Sequence, residues 1–168
     1  MEHLALNGGV KIRKKPFPKH PIIGDEEKRQ VLEVLESGNI STFIASPGEN
    51  FLGGKKIREF ENKFAKKIGT TYGVAFNSAT SALHAAVVAV GVLPGEEVIV
   101  PPYTFTSTAT CALMHNAIPV FCDVKKDTYC LDPAKLESVT SKLSKAVIPV
   151  HLFGHPCEMD EIMEFAKK

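Results

Sequence analysis

Apolar residues in the first third of the chain recur at helical spacing, whereas further on they gather into short unbroken runs. Val31, Leu32, Val34 and Leu35 form a stripe behind Asp25, which is suited to cap free N–H groups, and Gly38 closes it. A helix from Asp25 is therefore predicted. Ile57, Phe60, Phe64 and Ile68 share one face of a second helix, about Lys56 to Lys67, with Gly69 as its stop. The rhythm then changes. Runs rich in Val and Ile at Gly73–Phe76, Glu97–Val100, Ile118–Cys122 and Ala146–Val150 read as strands buried on both faces. Helical stretches fill the gaps at Ser81–Val90, Thr104–Asn116 and Pro133–Val139, and an amphipathic helix occupies Glu158–Lys168. Gaps of that length between unalternating strands predict right-handed crossovers, hence an α/β fold with a mostly parallel sheet and flanking helices.

Two segments stand outside this rhythm. Residues 1–24 hold Pro16, Pro18 and Pro21 among charges, which predicts an extended lead-in ahead of a domain spanning 25–168. From Asn39 to Gly54 the chain is loop-like, yet Phe43, Ile44, Phe51 and Leu52 lie within it. A long loop carrying such residues serves a site, is covered by a partner, or is simply tethered to the surface. At the other end a helix should feed a further strand. None follows Lys168, so the domain is expected to be incomplete in these 168 residues.

Composition adds exclusions. With 20 basic and 19 acidic residues the chain has no electrostatic footprint for nucleic acid or an anionic membrane, and the run Lys11–Lys15 reads as a solvated arm. No apolar run approaches the roughly 20 residues of a membrane span, and Glu2, His3 and Asn7 interrupt any leader. Cys111, Cys122, Cys130 and Cys157 form no CxxC pair, which suits small core residues of a reduced, cytoplasmic protein.

In open α/β sheets ligands collect beyond the C-terminal strand ends. Asn77-Ser78-Ala79-Thr80-Ser81 opens the helix there with small residues, hydroxyls and first-turn amides that favour an anion. The same residues also serve as a plain helix cap. Neither GxxxxGK[ST] nor GxGxxG is present, so a single phosphate on an organic cofactor fits better than a nucleotide. After Pro101-Pro102, Phe105 is placed either to stack on a flat ring or to fill space between helix and sheet. His151, His155 and Cys157 are metal-ligand types, but Gly154 and Pro156 break the helix that would align them, and no metal site is predicted. His84 and His115 read as packing residues.

Taken together, NSATSALHAAVVAVGVLPGEEVIVPPYTFTSTA, NAIPVFCDVKKDTYCLDP and AVIPVHLFGHPCEMDEIM resemble the DegT/DnrJ/EryC1/StrS family of pyridoxal-phosphate-dependent aminotransferases. The likeness runs from about Leu4 to the end. LALNGG, TYCLDP and GHPCEMDEIM look most similar to the branch of glutamine:scyllo-inosose aminotransferases. The resemblance implies an aspartate-aminotransferase-like large domain (fold type I), of which this chain is the N-terminal part, and pyridoxal 5'-phosphate as cofactor. It implies transfer of an amino group from an amino-acid donor to a keto-sugar or keto-cyclitol, in a homodimer whose loops complete shared pockets. The family's phosphate turn falls on Ser78, Ala79 and Thr80, and its ring-stacking aromatic on Phe105; Thr110 stands where many relatives have Asn. The aspartate that pairs with the pyridine nitrogen and the Schiff-base lysine fall beyond Lys168, and Lys55, Lys56, Lys66 and Lys67 do not match the lysine's position. No catalytic residue is therefore assigned here, and the chain alone is expected not to transaminate. His151 is implied to lie near the cofactor pocket. Two alternatives stay open: a sugar dehydratase of the same family, in which histidine replaces the lysine, and a truncated non-catalytic product.

Overall fold

The computed structural model describes residues 3–40 and 42–168. Met1 and Glu2 of the lead-in and Ser41 of the loop lie outside the described residues. The chain divides into two compact units, Met1–Glu59 and Phe60–Lys168.

In the first unit the lead-in is exposed and irregular apart from one 3-10 turn, Ala5–Asn7, closed by Gly8 in the left-handed region at φ 89°. Helix α1 spans Asp25–Glu36. Asp25 is its first helical residue rather than its cap, which is Gly24. The Gly24 amide donates to Glu27 Oε2 at 2.7 Å, one half of a capping box, and three carboxylates line the positive end of the helix. Helix α2, Lys55–Ile68, begins in this unit. Lys56 Nζ donates to Gln30 Oε1 and, at 2.9 Å, to Glu33 Oε2, tying the start of α2 to α1. In the loop, Phe43 lies against Gly53, whose φ of 84° and close contact with that ring leave no room for a side chain.

The second unit is built on three parallel strands in the order β2-β1-β3. The elements run α3 (Ala79–Ala89), β1 (Glu97–Val100), α4 (Ser107–Leu113), β2 (Ile118–Phe121), α5 (Leu136–Val139), β3 (Ser144–Val147) and α6 (Met159–Ala166). Central β1 explains its own composition. Val98 and Val100 pack on one face with Val87 of α3 and Cys111 and Ala112 of α4. Ile99 points the other way, into a cluster with Cys122, Leu131, Leu136 of α5, Cys157 and Ile162 of α6. A strand with a core on each side has no polar face to alternate with. The four cysteines are buried free thiols. Burial, followed by the Asp132 and Asp123 charges, pushes the Cys122 thiol up to about 11. Cys157 rises to about 11 through burial and the neighbouring Cys130 thiol.

Several predicted boundaries shift. Residues 73–76 join no sheet among the described residues. The Ala75 amide donates instead to the Glu61 carboxylate of α2 at 2.8 Å, and Val74 is 71% exposed. Val-rich sequence alone does not make a strand; a neighbouring ladder does. Strand β3 begins and ends earlier than Ala146–Val150, although the Ile148 amide still reaches Ile99 O at 2.8 Å. Helix α4 is shorter than Thr104–Asn116 because residues 101–106 form a turn ahead of it. The 133–139 stretch divides into a 3-10 turn, Pro133–Lys135, and α5.

Candidate functional site

Helix α3 begins at Ala79, two residues earlier than Ser81, because Ser78 takes the cap position with extended backbone. Its Oγ accepts the Ser81 amide at 3.1 Å. Ser81 Oγ donates in turn to Asn77 Oδ1 at 2.8 Å, which leaves the Ser78 hydroxyl hydrogen for Ser81 Oγ, 3.0 Å away. Asn77, not singled out from the sequence, therefore braces the turn from outside. The cap reading is thus correct for Ser78. It also leaves the Ala79 and Thr80 amides clear, because they sit in the first turn, where no helical carbonyl can accept from them. These two amides sit at the positive end of an 11-residue helix whose first side chains are small. A phosphate fits this donor set. An open, mostly apolar groove of about 450 Å³ adjoins the turn, lined by Phe60, Phe64, Val74, Phe76, Ser78 and Ala79.

Phe105 lies in the turn between β1 and α4. Its carbonyl accepts the Thr108 amide at 3.0 Å, and Thr104 Oγ1 and Thr108 Oγ1 are 2.8 Å apart, so the backbone is fastened. The ring itself is 75% exposed. It does not fill space between helix and sheet. Among the described residues Phe105 is not part of the groove beside Ser78 and Ala79, and the two candidates are related through α3 and α4, which share one packed cluster on one face of the sheet. Beside Phe105, the Tyr103 ring meets that of Tyr129 with centroids 5.7 Å apart. That pair is invisible in sequence, since it needs β1 and β2 to be neighbours. Thr110 is exposed on α4.

His151, His155 and Cys157 fall in the turn after β3. His151 Nδ1 accepts the Cys157 amide at 3.0 Å, and Cys157 Sγ donates to Val150 O at 3.1 Å. His84 and His115 form a tilted ring pair, with His115 Nε2 2.8 Å from Val92 O.

The sequence and its parallel-sheet fold have counterparts among known proteins. The model of the DegT/DnrJ/EryC1/StrS aminotransferase family matches residues 21–168. The chain belongs to that family. Spore coat polysaccharide biosynthesis protein SpsC of Bacillus subtilis (strain 168) is 43% identical over 147 residues, 88% of this chain and 35% of that protein. A putative L-glutamine:3-amino-2,3-dideoxy-scyllo-inosose aminotransferase of Streptoalloteichus tenebrarius is 35% identical over 165 residues, 98% of this chain and 38% of the relative. Among solved structures, 3-amino-5-hydroxybenzoic acid synthase superposes with a TM-score of 0.81 at 32% identity, covering 90% of this chain and 37% of that one. The PLP-form of the putative sugar aminotransferase Spr1654 from Streptococcus pneumoniae gives 0.76 at 33% identity, over 86% and 34%. The fold is accordingly that of the pyridoxal-phosphate-dependent aminotransferases. The chain spans a little over a third of the length of the curated relatives it matches. None of the helices among the described residues is long and apolar enough to cross a membrane.

Proposed function

We propose that this chain is the phosphate- and ring-holding N-terminal portion of an aminotransferase that moves an amino group from glutamine or glutamate to a keto-sugar or keto-cyclitol. Residues 25–168 are read as part of the large domain and 1–24 as its lead-in. The observation that carries the reading is the start of α3, with two first-turn amides beside Ser78 in a chain of this family. The amides of Ala79 and Thr80 and the Thr80 hydroxyl hold the phosphate dianion, and Ser78 keeps the helix end in shape. Phe105 gives one face of the cofactor ring an apolar floor and excludes water from it. When bound, pyridoxal 5'-phosphate supplies the electron sink that amino transfer needs. The share of these residues is to fix where the ring lies, so that the reacting bond is held in one orientation.

No lysine of these 168 residues is assigned the covalent role, and the stretch by itself is proposed not to turn over. A homodimer in the cytoplasm is the expected setting, and the exposed Phe43, Ile44, Phe51 and Leu52 of the first unit offer apolar surface that a partner could cover. Thr80→Val tests the reading. Loss of a hydrogen bond to a charged group weakens pyridoxal 5'-phosphate binding roughly tenfold or more, measured by equilibrium dialysis against the unsubstituted protein. Unchanged retention contradicts it. Incubating the 168-residue chain with the cofactor, glutamine and scyllo-inosose is expected to give no amino product.

A further inference from the structure

We infer that His151 is a hydrogen-bond donor to the ligand held at the end of the β1–β3 pair, presenting its Nε2–H to a ligand oxygen. This rests on the cofactor reading above and extends it to a residue on a different strand. The argument starts from topology. Strands β1 and β3 are parallel neighbours, and the helices that follow them leave for opposite faces of the sheet. Helix α4 joins the cluster around Val98 and Val100, whereas α6 joins the cluster around Ile99. In open α/β sheets, a crevice forms beyond the C-terminal strand ends where neighbouring connections diverge in this way. The turns that leave these strands there carry Phe105 on one side and His151 on the other.

The second turn is built to hold a shape. Gly154 N–H donates to His151 O at 3.1 Å and His155 N–H to Leu152 O at 2.9 Å, while Cys130 Sγ donates to His155 O at 3.5 Å. Inside it Phe153 sits at φ 51°, ψ 25° with its ring 92% exposed. A bulky residue in the left-handed region is uncommon, and Phe153 gains no burial by adopting it.

The chemistry of His151 follows from its partner. A backbone amide can only donate, so the Nδ1 that faces the Cys157 amide at 3.0 Å carries no hydrogen. The proton of the neutral ring is therefore on Nε2. Cys157 is buried and its own thiol is bonded to Val150 O, so this arrangement has a rigid backing. His151 is exposed, anchored at one nitrogen and open at the other. It is a fixed donor, suited to a hydroxyl, carbonyl or phenolic oxygen. Two ligands of the proposed reaction offer such oxygens, the cofactor and the polyhydroxylated ketone.

The test uses protein labelled with 15N in its histidine rings, with His151→Gln identifying the His151 signals. Without ligand, His151 is expected in the Nε2–H form. Pyridoxal 5'-phosphate and scyllo-inosose are then added singly and together. Movement of the Nε2 signal with the cofactor alone assigns the bond to the cofactor, and movement only after the ketone is added assigns it to the ketone. His151→Ala weakens binding of that probe roughly 2- to 10-fold, the net worth of one hydrogen bond. Gln offers both an acceptor for the Cys157 amide and an N–H donor, so His151→Gln recovers most of the loss. If both probes bind with the Nε2 signal unmoved and the alanine variant unaffected, the inference is overturned and the cofactor reading stands. If the protein binds neither probe, or Thr80→Val binds the cofactor as tightly as the unsubstituted chain, both fall together.

Discussion

The units Met1–Glu59 and Phe60–Lys168 use their apolar residues in opposite ways. In the second, β1 is sealed on both faces, with Val98, Ile99 and Val100 no more than 1% exposed. In the first, no residue of α1 is buried, and Val31, Leu32, Leu35, Phe43 and Phe51 all remain more than half exposed. What holds α1 is local: three carboxylates in its first turn, the Glu27 bond to Gly24, and Lys28 and Arg29 pairs with Asp25 and Glu26. Exposed pairs of that kind contribute little each. The contrast separates a unit that supplies its own core, and carries every candidate ligand residue, from one whose apolar stripe asks for cover.

The largest effect that tests this contrast is in the core. Ile99→Ala removes a side chain packed in the cluster with Leu136 of α5 and Ile162 of α6 and lowers stability by about 2–5 kcal/mol in urea unfolding. Leu32→Ala on α1, where the side chain is 54% exposed, costs about 1 kcal/mol or less. Equal losses would erase the distinction. A smaller effect concerns the exposed ring. Phe105→Ala lowers cofactor affinity by about 0.5–1.5 kcal/mol, the worth of one stacked pair, and leaves the urea midpoint close to its original value. A large loss of stability with no change in affinity would return Phe105 to a packing role.

The smallest expected effect lies at the entry to β1. The Ser141 and Ser144 hydroxyls each donate to Glu97 Oε2 at 2.7 Å and hold its carboxyl below the usual 4.5. A carboxyl lowered on folding stabilises above its unfolded value and loses that contribution as pH falls through the folded one. Glu97→Gln is therefore expected to be slightly less stable than the unsubstituted chain at pH 7, with the gap closing below about pH 4.5. The thiols act at the other end of the scale. Cys122 and Cys157, each raised from 9.0 to about 11, favour the folded state while protonated, and that preference is lost between those values as pH rises.

Much of the architecture was legible because its causes are local. Gly38 and Gly69 stop helices at α1 and α2, and the Val-Ile run at 97–100 can be buried on both faces only in a covered parallel sheet. The Gly73–Phe76 run is also apolar but has no paired neighbour among the described residues, and period alone does not separate the two. Ser78 was legible both as cap and as phosphate residue, and the structure places its hydroxyl in the cap. The cap uses the side-chain oxygen, and the phosphate reading uses the next two amides. The tautomer of His151 was not legible, since the amide that sets it lies six residues on, across a turn with two left-handed residues.

The most direct measurement follows the backbone amides of Ala79 and Thr80 while pyridoxal 5'-phosphate is added to 15N-labelled protein. Their proton signals are expected to move strongly downfield as the phosphate accepts from them, with a matching change in the Phe105 ring. Saturation of the protein with cofactor while those two amides stay where they were, and others shift instead, would contradict the account.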